Sequence, residues 1–227
     1  MLDRPPNPTE GASGQVLRWP TRRSREWTEA FLHSAWSDPN ITAVVAMGSA
    51  VRPDVTSEDL DLVVICGNPD LLNETPPMEV DLRAYSGVDV DVQLKSGHDM
   101  LGWAVRFGRV LFQRDCFWDA VVQSWHHRLP LPSSELARKR AAAAHRHLIN
   151  LLKLGDADAA REQALSYLTH LARAELVEGA VYPASRPELP EQLKGIGKFR
   201  LAESLERLVH GESTGLSEID GLLKVAV

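Results

Sequence analysis

Two Asp-x-Asp pairs and a Gly-Ser dipeptide carry the chemistry-bearing pattern of this chain. Asp59-Leu60-Asp61 follows Gly48-Ser49 with Asp59 eleven positions after Gly48, and Asp89-Val90-Asp91 comes later. On an extended strand side chains alternate, so Asp59 and Asp61 share one face about 7 Å apart while Leu60 and Leu62 point into a core. Carboxylates that close repel, and one is pushed toward its neutral form unless a cation compensates. Hard oxygen ligands suit Mg²⁺. Asp89 and Asp91 share a face in the same way, with Val88, Val90 and Val92 opposite. If that segment lies beside the first acidic strand, a third carboxylate joins, and three carboxylates can hold two Mg²⁺ ions for in-line displacement at phosphorus. The Gly48-Ser49 turn suits the same chemistry. Glycine lets backbone approach a phosphate, exposed N–H groups make an anion-binding concavity, Ser49 adds a hydroxyl donor, and Arg52 can reach a phosphate oxygen.

The elements that must position these residues are legible in the hydropathy pattern. Ser24 is expected to cap a helix running to about Trp36, with Trp27, Ala30, Phe31 and Ala35 on one side and Asp38-Pro39-Asn40 as its stop. Ile41–Met47 reads as a buried strand, and a second strand runs from about Asp59 to Ile65. Val80–Tyr85 and Val88–Leu94 alternate and are joined by Ser86-Gly87, which predicts a hairpin. A short helix near Met100–Phe107 and a short strand, Val110–Phe112, follow. From Ser133 the period changes to 3.6: helices are expected over Glu135–Leu154, stopped by Gly155, and over Ala157–Glu178, stopped by Gly179. Pro190 can open a short helical turn. Leu201, Leu205, Leu208 and Val209 mark a last helix ended by Gly211. Residues 1–20, rich in Pro, Gly and Ser, read as a mobile arm. The expected domains are 21–130, mixed in α and β, and 131–227, all helical, joined near two prolines in Leu129–Ser134.

Charge is uneven between these halves. The chain of 227 residues has a net charge of −6, yet residues 133–227 carry 13 basic and 13 acidic residues. The whole surplus therefore sits in the first 132 residues, with 12 basic against 18 acidic. Neither half has the basic balance of a broad nucleic-acid surface. No apolar run reaches the ~18–20 residues of a membrane span, and the first residues contain no apolar stretch resembling a secretory signal. Two cysteines, Cys66 and Cys116, make no disulfide framework or zinc cluster. A reducing cytoplasm is the expected compartment.

The stretch GSAVRPDVTSEDLDLVVI followed by GVDVDVQL resembles the core of the polymerase-beta-type nucleotidyltransferases, whose pattern is hG[GS], [DE]h[DE], then h[DE]h, with h apolar. It is most similar to the minimal and kanamycin-type members, which often read GSxARGD and then SDIDL. Arg52 and Asp54 stand at the matching Arg and Asp, with Pro53 for Gly and Glu58 for Ser. The resemblance spans about residues 41–115, including GRVLFQRD, and reaches the helical half only as the kind of bundle that follows such a core. It implies an α+β fold, with a small mixed nucleotidyltransferase sheet, flanking helices and an all-α helical bundle after it. It implies that Asp59, Asp61 and Asp91 bind two Mg²⁺ ions, with Asp89 the alternative to Asp91, and that Gly48 and Ser49 hold the triphosphate of an NTP, with ATP expected. An acceptor hydroxyl would attack the α-phosphorus and release pyrophosphate.

The acidic first half would draw a cationic acceptor, which makes an aminoglycoside-like small molecule the first candidate. A toxin–antitoxin enzyme modifying a cognate partner protein or a tRNA end is the alternative. Arg140 and His145 also match the RxxxxH pattern of HEPN-type ribonucleases, so a nuclease, or a non-catalytic nucleotide-binding module, is a further alternative. Trp103, Trp118 and Trp125 read first as packing residues and second as base platforms. His126, His127 and His147 lack metal-spaced partners. Lys194, Lys198 and Arg200 form a basic loop cluster, and Glu175 is an isolated helical carboxylate.

Overall fold

Thr21 opens the first helix, α1 (Arg22–Ser37), in the computed structural model of the chain, which describes residues 16–53, 59–210, 215–219 and 221. Thr21 Oγ1 accepts from the Ser24 N–H at 3.0 Å and Ser24 Oγ accepts from the Thr21 N–H at 3.1 Å, a reciprocal capping box. Ser24 is thus the inner partner of the cap rather than the cap itself. The described residues fall into two compact units, one ending at Pro130 and one beginning at Leu131, and their architecture is α+β.

The first unit is built on β1 (Ile41–Met47), β2 (Leu60–Cys66), β3 (Val80–Ser86) and β4 (Arg109–Gln113), in the order β3-β2-β1-β4. β1 pairs antiparallel with both β2 and β4, whereas β3 runs parallel to β2, so the sheet is mixed. Alternation sends Val44, Ala46, Leu60, Leu62 and Val64 to one face, where Phe31, Leu32 and Ala35 of α1 cover them. It sends Ala43, Val45, Met47, Val63 and Ile65 to the other, under α2 (Val90–Lys95), α3 (Asp99–Phe107) and α4 (Phe117–Trp125). Arg114, just past β4, locks the first layer to the sheet. Its guanidinium donates to the carbonyls of Ile41, Ala35, Trp36 and Asp38 at 2.8–3.1 Å, satisfying the open C-terminal end of α1.

Two expectations are corrected here. Val88–Leu94 is not a strand and forms no hairpin with β3: the chain leaves the sheet at Gly87 through a 3-10 turn and enters α2. An alternating set spaced by two also contains pairs spaced by four, and the core selects one such pair. Val90 and Leu94 are each 1% exposed, while Val88 and Val92 are 85% and 69% exposed. The expected mobile arm over residues 1–20 is corrected in its described part, residues 16–20. Residues 1–15 lie outside the described part, but Val16 is buried and the N–H groups of Leu17 and Arg18 donate to the Ala50 carbonyl at 3.0 and 3.1 Å.

The second unit comprises α5 (Ser134–Leu154), α6 (Ala157–Glu178), α7 (Leu189–Gly195) and α8 (Phe199–Val209). Ser133 and Asp156 cap α5 and α6, and Gly155 between them takes a left-handed φ of 77°. Leu148, Leu168, Leu176, Leu193 and Leu205 share its core. Gly211, expected to end the last helix, lies outside the described residues. Among the described residues no helix is long and apolar enough to cross a membrane.

Candidate active site

The acidic face is set by strand register. Met47, at the end of β1, pairs with Asp61 of β2, so the Gly48-Ser49 turn emerges beside that carboxylate. Gly48 has φ +77°, and a Cβ built on it would lie 2.2 Å from Asp61 Oδ2. Only glycine satisfies both the backbone angle and the carboxylate's position. Asp59 is exposed just before β2, and Asp61, half-buried, lies on the same face as Val63 and Ile65, with Leu60 and Leu62 buried on the opposite face.

In the parallel ladder Asp61 is the partner of Asp81 on β3. Paired residues on neighbouring strands about 4.8 Å apart present their side chains to one face, so two carboxylates from separate strands share the acidic face. Asp81 was not singled out from the sequence. Its signal was available in Val80-Asp81-Leu82, an acid between two apolar residues on a segment that does read as a strand. Asp91, the expected third acid, sits on α2, where the Trp125 indole N–H donates to its Oδ1 at 2.7 Å. Asp89 lies in the 3-10 turn before α2. Neither belongs to the β2–β3 ladder.

The acids are not assembled as a cage. Among the described residues no group of three His, Cys, Asp or Glu side chains is gathered as a metal site. Asp81 is engaged instead by Arg83, whose Nε lies 2.8 Å from Oδ1 and whose terminal nitrogen donates to Oδ2 at 2.9 Å. The hydrogen bond to Asp81 and its charge hold the Arg83 guanidinium above its ordinary range, and the more distant Asp61 adds in the same sense. Farther along β3, burial pushes the Tyr85 phenol up, and its ring meets His98 edge-on at 5.3 Å. Asp54 and Glu58 lie outside the described residues. Arg52 stacks its guanidinium over the Phe107 ring at 4.9 Å, and Phe107 in turn packs on Trp103.

The remaining candidates are mostly accounted for by packing and pairing. Trp118 is fully buried. Trp125 carries Arg128 over its ring at 4.8 Å. His126 and His127 pack edge-to-face, and burial, then Arg106 and His127, lower the affinity of His126 for a proton. In the second unit His145 packs on Tyr167, and Arg140 is exposed on the same helix. Lys194 pairs with Glu191 and Glu206, Arg200 and His147 are exposed, and Glu175 is held between Arg138 and Lys198 at 2.8 and 2.6 Å.

No protein-family model matches the sequence, and no curated protein matches it. Among solved structures the chain is similar to a nucleotidyltransferase-like protein from Exiguobacterium sibiricum. The two share 18% identity over 88% of this chain and 72% of the other, with a TM-score of 0.46.

Proposed function

We propose that the chain is a nucleotidyltransferase that moves a nucleoside monophosphate from an NTP, with ATP the first choice, to an acceptor hydroxyl. The observation that supports this reading is the register aligning Asp61 with Asp81, beside a Gly48 turn that Asp61 itself contacts. In this reading Asp81, rather than Asp91, is the third carboxylate beside Asp59 and Asp61. The donor set is all carboxylate oxygen, which fits a hard divalent cation such as Mg²⁺. When bound, Mg²⁺ would supply charge neutralisation to the phosphates. The Gly48-Ser49 backbone would approach the triphosphate, and Ser49 and Arg52 would donate to its oxygens. The acceptor oxygen bonds to the α-phosphorus as the bond to pyrophosphate breaks, and the acceptor's proton leaves to a base or to solvent. Positioning and charge neutralisation supply most of the acceleration.

The acceptor follows the charge. With 18 acidic against 12 basic residues in the first 132, a cationic, hydroxyl-bearing small molecule of the aminoglycoside type is favoured over a polyanionic one. The test is Mg²⁺-dependent pyrophosphate release with ATP and a panel of cationic hydroxyl acceptors, a tRNA and candidate partner proteins. Asp61→Asn is expected to slow release at least about 100-fold. Release at the wild-type rate by that variant overturns the reading, and transfer only to tRNA or protein replaces the small-molecule acceptor.

A further inference from the structure

Resting on the active-site reading above, we propose that Arg83 is an exchangeable counter-ion: it holds Asp81 and yields that carboxylate when a divalent cation takes it. The geometry is a two-point fork, with Arg83 Nε on Oδ1 at 2.8 Å and a second nitrogen on Oδ2 at 2.9 Å. Both oxygens of Asp81, the carboxylate that the register aligns with Asp61, are therefore engaged at once. Arg83 and Asp81 are two residues apart on β3, so both project from the same face of that strand. β3 is an edge strand, so no further strand confines the arginine on its outer side.

Exposure decides that the pair can exchange. The side chains are 58% and 41% accessible, and exposed ion pairs hold only weakly because water and salt screen them. A dication held by Asp61 and Asp81 together brings two positive charges against the guanidinium's one. A buried pair would instead resist, since leaving either charge unpaired there is costly. The Asp61–Asp81 register also calls for positive charge between two strands whether or not a cation is present. Arg83 supplies it from within the chain through its fork on Asp81.

The test is Mn²⁺ titration of the full chain, followed by the EPR signal of the free ion, for wild type, Arg83→Gln, Arg83→Lys, Asp81→Asn, Asp81→Asn/Arg83→Gln and Asp61→Asn. Arg83→Gln is expected to bind Mn²⁺ about three- to fivefold more tightly, the scale of an exposed ion pair. Arg83→Lys, which keeps the charge without the fork, is expected to fall between it and wild type. In the Asp81→Asn background the Arg83→Gln gain should vanish. Unchanged or weaker binding by Arg83→Gln overturns the proposal, and so does a gain that persists without the Asp81 carboxylate, which would mark a general field effect. If wild type shows no saturable binding sensitive to Asp61→Asn, the active-site reading falls and takes this inference with it. Asp61-dependent binding with no response to Arg83 removes this inference alone.

Discussion

Asp61 Oδ2 occupies the space that a side chain on Gly48 would need: a Cβ there would lie 2.2 Å away, and the glycine φ is +77°. Gly48→Ala must therefore displace the carboxylate and strain the backbone together. The expected result is a loss of about 1–3 kcal/mol in denaturant unfolding, the range for a residue forced into a sparsely populated conformation. Pyrophosphate release is expected to fall further than stability explains, because the displaced group is Asp61. A variant that retains wild-type release with Asp61 unmoved would show that the close approach has no functional role.

Asp81 and Asp91 make opposite predictions. Asp81→Asn is expected to lower pyrophosphate release about 100-fold or more while leaving stability close to wild type, since its side chain is exposed and its ion pair weak. Asp91→Ala is expected to change release less than threefold and to cost about 1 kcal/mol, through loss of the bond from the Trp125 indole. The reverse pattern would return the third-acid role to the helix.

The difference between those two aspartates marks where sequence stops being informative. β1, α6 and the start of β2 could be read because their apolar runs or periods are bounded by Pro39, Gly155, Gly179 and the Asp59-Leu60-Asp61 pattern. Val80–Tyr85 was also legible as a strand, but its parallel direction and its register with Asp61 are non-local and leave no mark within the segment. Val88–Leu94 misleads for a local reason. Its residues 88, 90, 92 and 94 satisfy alternation, yet burial of Val90 and Leu94 one helical turn apart satisfies the core just as well. The Arg83–Asp81 fork is readable only once β3 is known to be an edge, because the same spacing on an inner strand would be contested by neighbours.

Arg114 carries a stability prediction independent of the acids. Its guanidinium meets four carbonyls, three of them at the end of α1 and one at the start of β1. Arg114→Ala would leave those acceptors to water or unsatisfied, and hydrogen bonds from a charged donor contribute about 1.5–3 kcal/mol. An unfolding free energy lowered by about 2 kcal/mol is expected, with Arg114→Lys recovering only part because it lacks the planar fork. A loss under about 0.5 kcal/mol would mean that α1 is held by its apolar face alone.

Glu175 gives the second unit a defined acid sensitivity. Burial is the largest single influence and would raise its proton affinity, but hydrogen bonds from Lys198 and Arg138 together outweigh it and hold the carboxyl below its ordinary range. A carboxylate depressed in the folded state contributes stability that is full above its unfolded value and is lost as pH falls toward the folded one. The wild-type thermal midpoint is therefore expected to drop steadily below about pH 4.3, the ordinary glutamate value. Glu175→Gln, which cannot titrate, should start lower at pH 7 and decline less steeply across that acid range. Parallel curves for the two proteins would show that acid sensitivity arises from other carboxylates.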